Sequence, residues 1–233
     1  MVFRLWRAGA LFMVPGMNSN PAAPQVQSPI SRPVTCLGLR ASCAVKWSAL
    51  VGILLAMPHL TSDFVAGQDL EPILLPPPPM EGGQPLMDVL RQRKSTREFR
   101  RTRLSPRVLS NLLWAGFGIN RPESSHRTAP SAMNAQEIDI YVANQDGLYV
   151  YEPREHQLKF VQAGDLRSKT SGQEFAREAP LALIFVADYT RMVKARPDQK
   201  DFYAAIDTGC ISQNIYLFCA SEGLGMSWGI ARE

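Results

Sequence analysis

The chain has few of the residues that carry out chemistry on their own. Its 233 residues include three histidines and four cysteines, and only His126 and His156 lie beyond residue 67. No stretch has the His-Glu-x-x-His spacing of a metalloprotease, and no serine, histidine and aspartate form a recognisable hydrolase motif. The sequence thus offers no recognisable motif for a protein nucleophile, for a catalytic acid–base pair or for a metal site.

The cysteines do not suggest a disulfide framework. Cys36 and Cys43 fall in the N-terminal region, whereas Cys210 and Cys219 lie on one predicted helix. Nine helical residues separate the latter two by about 13.5 Å, on opposite sides of the helix, which is too far for a disulfide. Small apolar packing is the expected role of these side chains.

An excess of one charge is also missing from most of the chain. Residues 1–67 contain five Lys or Arg and one acidic residue, Asp63. Subtracting these from the totals of 25 and 21 leaves 20 charges of each sign in residues 68–233. A neutral body lacks the basic surface that nucleic acids require, so we expect no nucleic-acid partner.

The apolar run at residues 47–57 is too short to span a bilayer but has the length of a signal-peptide core. Small residues at 65–67 would allow cleavage before Gln68. We predict that residues 1–67 are a leader and that the protein is exported, to the periplasm in a bacterium. A membrane anchor or an internal helix are alternatives. The 46 residues before the core would also fit a start site assigned too early, which would leave the protein cytoplasmic.

Residues 68–84 read as a linker rich in proline and glycine, which we expect to be an extended spacer. A single domain follows at residues 85–233, long enough for one core. Periodicity and capping signals predict its main elements. These are a helix at 85–93, a helix from Ser105-Pro106 to about Gly118, a hairpin of strands 138–142 and 148–151, a modest helix after Asp165, a buried strand at 181–186 and a long helix at 202–222.

Three short segments of this domain have patterns that suit a ligand. Residues 93–97 offer cations and a hydroxyl, which suit a phosphate monoester. Residues 130–136 surround the polar Ser131, Asn134 and Gln136 with small residues, which suits a flat ligand, although alone this is ordinary strand-entry chemistry. Residues 223–225 form a Gly-Leu-Gly turn typical of a helix C-cap.

In this order, the three segments resemble the FMN-dependent nitroreductase family, and most closely its small dehydrogenases, which include the azoline (thiazole and oxazole) oxidases. The likeness runs from about residue 75 to the C-terminus. It implies an α+β nitroreductase-like fold, with a mixed or antiparallel central sheet flanked by helices and a long buried central helix. It also implies FMN as the cofactor, with these residues around it: Arg93, Lys94, Ser95 and Arg97 at the phosphate and ribityl chain, Pro130, Ser131, Ala132, Met133, Asn134 and Gln136 in the loop, and Gly223, Leu224 and Gly225 near the isoalloxazine ring.

The resemblance further implies that FMN carries the redox chemistry while the protein binds it and controls access. Hydride would pass from NAD(P)H or an organic substrate to a small acceptor by a ping-pong scheme. A homodimer would hold each FMN between subunits, with residues 93–97 from one chain and residues 131–136 from the other. Because the family pattern continues beyond Glu233, we expect a domain truncated at its C-terminus. The alternative is a catalytically silent binding or dimerisation module that keeps the fold without flavin.

Overall fold

The computed structural model describes residues 9–14 and 71–230. The predicted signal core at residues 47–57 and the cleavage position lie outside these residues, so both stay predictions. Within the described part of the chain, no helix is long and apolar enough to cross a membrane. Cys210 and Cys219 form no disulfide with each other, as their separation along the helix predicted.

Four α-helices occur in the described residues: α1 (Leu86–Gln92), α2 (Pro106–Phe117), α3 (Arg167–Thr170) and α4 (Lys200–Ser221). The start of α2 is as predicted, because the Ser105 hydroxyl accepts a hydrogen bond from the backbone N–H of Val108 at 3.3 Å. The helix expected after Asp165 is only one turn long, which corrects the prediction of a modest helix. Asp165 binds the backbone and the guanidinium group of Arg167, and the backbone is already extended at Ser171.

The strands of the described residues form a seven-stranded sheet and a small two-stranded one. Their order in the larger sheet is β2-β7-β6-β5-β8-β1-β9, and every pairing in it is antiparallel. The predicted hairpin and the predicted buried strand are both confirmed, as β5–β6 and β8. The bounds are β1 Gly9–Val14, β2 Ile73–Leu74, β3 Ile119–Arg121, β4 His126–Arg127, β5 Ile138–Ala143, β6 Gly147–Glu152, β7 Gln157–Ala163, β8 Leu181–Ala187 and β9 Gly225–Ile230.

Strand β1 lies within residues 1–67, for which the sequence predicted a leader and no part of the domain. Its six residues pair with β8 on one side and with β9 on the other. The segment Gly-Ala-Leu-Phe-Met-Val is apolar throughout and therefore shows no alternation. A continuous apolar run is what a strand between two neighbours requires when both faces of its sheet are covered.

The segment expected to be a free spacer is docked on the domain. Strand β2 pairs with β7, and the next residue, Leu75, is buried in the core. The carbonyl of Pro76 accepts a hydrogen bond from the hydroxyl of Ser110 on α2, and the carbonyl of Pro77 accepts one from Arg107. Proline lacks an N–H but keeps its carbonyl acceptor, so a proline-rich segment can still be fixed by donors from the domain.

The core lies between the sheet and the helices α2 and α4. The inward face of α4 contributes Ile211 and Ile215, both fully buried. A Cβ added at Gly116 of α2 would come within 2.9 Å of the Ile215 side chain. The two helices are therefore too close together at this point for a side chain at position 116. The outward face of α4 is different, because Phe202 is 63% and Ile206 45% exposed. The helix is thus buried on one side and open on the other.

Candidate functional site

The 93–97 segment lies against the C-terminal half of α4. The guanidinium carbon of Arg93 is 5.4 Å from the centroid of the Tyr216 ring. The Ser95 hydroxyl is 3.0 Å from the Tyr216 hydroxyl, and the backbone N–H of Thr96 donates to the carbonyl of Met226 at 2.7 Å. Because Met226 follows the Gly-Leu-Gly turn directly, the structure brings the first and third predicted segments together.

The cations of this segment are largely uncommitted. Lys94 and Arg97 are exposed, and within the described residues neither forms a hydrogen bond or an ion pair. Arg93 contacts the face of an aromatic ring, which leaves its N–H groups available. Three cations and two hydroxyl groups within five residues are a donor set that fits a phosphate group.

The Gly223–Gly225 turn ends α4 and starts β9. Gly223 has a φ of +68°, a conformation that glycine adopts without steric cost. The backbone N–H of Leu224 donates to the carbonyl of Cys219 at 2.7 Å, which is the hydrogen bond of a left-handed C-cap. The turn therefore sets the point at which β9 leaves the helix and meets the 93–97 segment.

The loop at residues 130–136 has an unusual backbone. Met133, Asn134 and Gln136 have φ values of 55°, 54° and 48°, in the left-handed region that side chains normally avoid. Each such residue costs on the order of 1 kcal/mol and persists only where surrounding contacts fix it. The loop is thus held by its neighbours in a conformation that its own sequence does not favour.

Hydrogen bonds within the loop supply much of that restraint. The Ser131 hydroxyl accepts from the backbone N–H of Gln136 at 2.7 Å. The Gln136 side chain accepts from Arg127 at 2.8 Å and donates to the carbonyl of Ser125 and the Asn134 side chain, each at 3.0 Å. The polar groups that the sequence offers to a ligand are therefore engaged within the protein, while Met133 and Asn134 are exposed at the loop tip.

Two buried carboxyl groups lie beneath this loop, and neither was identified from the sequence. Asp207, 3% exposed, accepts from the backbone N–H of Ala132 at 2.7 Å, and the fully buried Glu137 accepts from the Ser131 hydroxyl at 3.2 Å. Burial, followed by the neighbouring Asp207, raises the pKa of Glu137 to about 7. A signal existed for Asp207, since it stands between Ala204 and Ile211 at the helical spacing of core positions.

Two cavities flank α4. One, of about 340 Å³, follows the helix as a groove. Gly209 leaves space within it, because an added Cβ would meet nothing within 4 Å. Tyr216 belongs to this groove and contacts Arg93 and Ser95, so the cationic segment stands at one end. The groove is lined by Ala205, Thr208, Gly209, Ser212, Gln213, Tyr216 and Trp228.

The other cavity, of about 310 Å³, lies at the loop tip and is lined by residues 132–135, residues 191–195 and Tyr203. Both cavities reach the size of small-molecule sites. The loop is anchored at Asp207, whereas the cationic segment is anchored at Tyr216. Nine helical residues separate the two anchors by about 13.5 Å along α4. Within one chain, the second predicted segment therefore stands apart from the other two.

Comparison with known proteins identifies the family of the chain. The model of the nitroreductase family matches residues 90–229, more than half of the chain. The chain belongs to the nitroreductase family. The match includes residues 93–97, the 130–136 loop and the turn that ends α4. Members of this family are typically flavin-dependent and dimeric.

Individual relatives support the same assignment. A nitroreductase homologue of Methanocaldococcus jannaschii is 34% identical over 150 residues, which cover 60% of this chain and 75% of the relative. The crystal structure of a nitroreductase homologue from Ralstonia eutropha JMP134 has a TM-score of 0.64 at 38% identity, covering 72% of this chain and 92% of that one.

A structure from Anabaena variabilis has a TM-score of 0.52 at 22% identity, covering 60% of this chain and 31% of the other, and shows similarity of fold alone. The predicted α+β nitroreductase-like fold with a long helix is confirmed. Family membership supports a flavin-dependent oxidoreductase in general terms.

Proposed function

We propose that this protein is an FMN-dependent oxidoreductase that transfers hydride between NAD(P)H or an organic substrate and a small acceptor by a ping-pong scheme. The observation that carries the proposal is the cationic segment at the end of the α4 groove. Lys94 and Arg97 are uncommitted cations beside the anchored Arg93 and Ser95. The groove extends from Tyr216 along α4 to Ala205, and small side chains line much of it. An elongated ligand with a phosphate at one end fits this combination.

The residues have distinct tasks in this proposal. Arg93, Arg97 and Lys94 would bind the phosphate group. The Ser95 hydroxyl would donate a hydrogen bond to the phosphate or to the ribityl chain. Tyr216 holds Arg93 and Ser95 in place, and Gly209 leaves the groove wide enough for a ligand. Bound FMN would supply the hydride chemistry, while the chain binds it and limits the access of water.

We further propose a homodimer in which the 130–136 loop of one copy faces the α4 groove of the other. The separation between loop and cationic segment supports this, as does the exposed apolar face of α4 at Phe202 and Ile206. An F202D/I206D variant is expected to be monomeric in analytical ultracentrifugation. Val161→Asp is the matched control, since Val161 is 45% exposed, as Ile206 is, but lies on β7 and belongs neither to α4 nor to the loop.

Absorbance of the purified full-length protein, after FMN is added and the excess removed, tests the cofactor. We expect flavin bands at a near-equimolar ratio, lost in Arg97→Ala and kept in Arg100→Ala, an exposed arginine three residues away. Consumption of NADH or NADPH with a nitroaromatic or quinone acceptor would then test turnover. A folded, colourless protein that does not bind FMN would refute the enzyme proposal and support a silent binding or dimerisation module.

A further inference from the structure

Two buried acids approach one loop from different elements. Asp207 comes from α4, and its carboxylate binds the backbone N–H of Ala132 at 2.7 Å. Glu137 stands just before β5, and its carboxyl group accepts from the Ser131 hydroxyl at 3.2 Å. Asp207 is 3% exposed and Glu137 is fully buried. Consecutive residues of the loop are therefore fixed by two acids that face each other.

No cation pairs with either acid within the described part of the chain. Arg191 reaches this region, but its guanidinium group pairs with Asp139 and Asp188. Tyr189, which follows β8, also lies near enough to be affected by the charge of Glu137, and its hydroxyl donates a hydrogen bond to Asp201. Two ionised carboxylates without a counter-ion would be strongly destabilising in a buried site.

The hydrogen bonds of the two acids also indicate that a proton lies between them. Two ionised carboxylates can only accept, so their contact holds no donor. The Oε1 atom of Glu137 is buried and no donor reaches it. One proton on either acid would supply the missing donor and remove one of the two charges. Burial, then the charge and the hydrogen bond of Asp207, raise the pKa of Glu137 to about 7, in agreement with this geometry.

We propose that Glu137 and Asp207 share one proton and act as a positioning pair, which holds the 130–136 loop in its left-handed conformation at neutral and lower pH and releases it as the pH rises. Residues 132–135 of the loop line the 310 Å³ cavity, so the shape of that cavity follows the protonation of the pair. The inference does not depend on flavin, because both acids and the loop belong to this chain and their state can be measured without a ligand.

The test combines infrared spectroscopy with amide hydrogen exchange on the full-length protein, without FMN, over about two pH units on either side of 7. Infrared spectra of the wild type should show a protonated carboxyl band that disappears as the pH rises through neutrality. After correction for intrinsic exchange, protection of the Ala132 amide should fall about tenfold over the same range. Glu137→Gln keeps a donor without a charge, so it should lack the band and show pH-independent protection.

Glu155→Gln is the matched control, since Glu155 is exposed and should behave as the wild type. A wild type without the protonated carboxyl band would overturn the proposal, and so would a band that persists unchanged in Glu137→Gln. Identical exchange profiles in the wild type and Glu137→Gln would overturn it as well. If Glu137→Gln does not fold, the carboxyl band of the wild type and its pH titration test the proposal on their own. Failure to bind FMN would leave every one of these outcomes unaffected.

Discussion

The 93–97 segment and the 130–136 loop differ in how the protein holds them. The segment is exposed, contacts α4 through one aromatic side chain, and leaves Lys94 and Arg97 without partners among the described residues. In the loop, the side chains of Ser131 and Gln136 are engaged internally, and two buried acids fix the backbone. The cations of the segment are therefore available to a ligand, whereas the polar groups of the loop stabilise the conformation of the loop itself.

The largest expected effect that separates the two regions is a pH dependence of stability that originates at the loop. The pKa of Glu137 rises from 4.5 to about 7 on folding, so the folded state binds the extra proton between these values. Its contribution to the unfolding free energy is complete below pH 4.5 and falls by about 3 kcal/mol as the pH rises from 4.5 to about 7. Urea unfolding of the wild type and of Glu137→Gln across this range should show the difference. An equal pH dependence of the unfolding free energy in the two proteins would contradict the assignment.

A smaller effect is expected from Ser131→Ala. This change leaves the backbone N–H of Gln136 without its acceptor and Glu137 without its hydroxyl donor, so we expect the unfolding free energy to fall by about 2 kcal/mol. Urea unfolding measures it. Ser124→Ala is the control, because Ser124 is exposed and water replaces its hydrogen bonds. Equal losses in both variants would mean that the loop is not specially restrained.

The smallest effect is expected at the segment, from Tyr216→Phe. The phenyl ring stays beneath Arg93, but the 3.0 Å hydrogen bond to Ser95 is lost. We expect a loss of at most about 1 kcal/mol in unfolding free energy and a several-fold weaker FMN affinity, measured by fluorescence titration. Tyr203→Phe, which lines the other cavity, should leave FMN affinity unchanged. A weaker FMN affinity in Tyr203→Phe, with an unchanged affinity in Tyr216→Phe, would place the ligand at the loop tip.

Much of the fold could be predicted because local signals and tertiary structure agree. Ser105-Pro106 predicts the start of α2, the strand patterns at 138–142 and 148–151 predict the hairpin, and the apolar run at 181–186 predicts β8. Strand β1 could not be predicted, since its place depends on the backbone edges of β8 and β9, which are distant in sequence. The helix after Asp165 was predicted, but its length was overestimated, since the backbone is already extended at Ser171.

Some parts of the candidate site could be predicted from the sequence, and others could not. The three segments could be found because each combines residue types with a clear chemical use. Tyr216 could not be recognised, because a tyrosine on a long helix gives no sign that it receives Arg93 and Ser95 from 120 or more positions earlier. The internal use of Gln136 was also hidden, since Arg127 and Ser125 meet it only in the folded loop.

The position of β1 has a consequence for the maturation of the chain. Cleavage before Gln68 would remove Gly9–Val14, the strand between β8 and β9. A processed molecule would then carry two unpaired strand edges, on β8 and β9 near one end of its sheet, available to each other or to an incoming strand. A form cleaved before Gln68 and the form with β1 in place would therefore be two different molecules, and the intact mass of the protein isolated from its source would show which one is present.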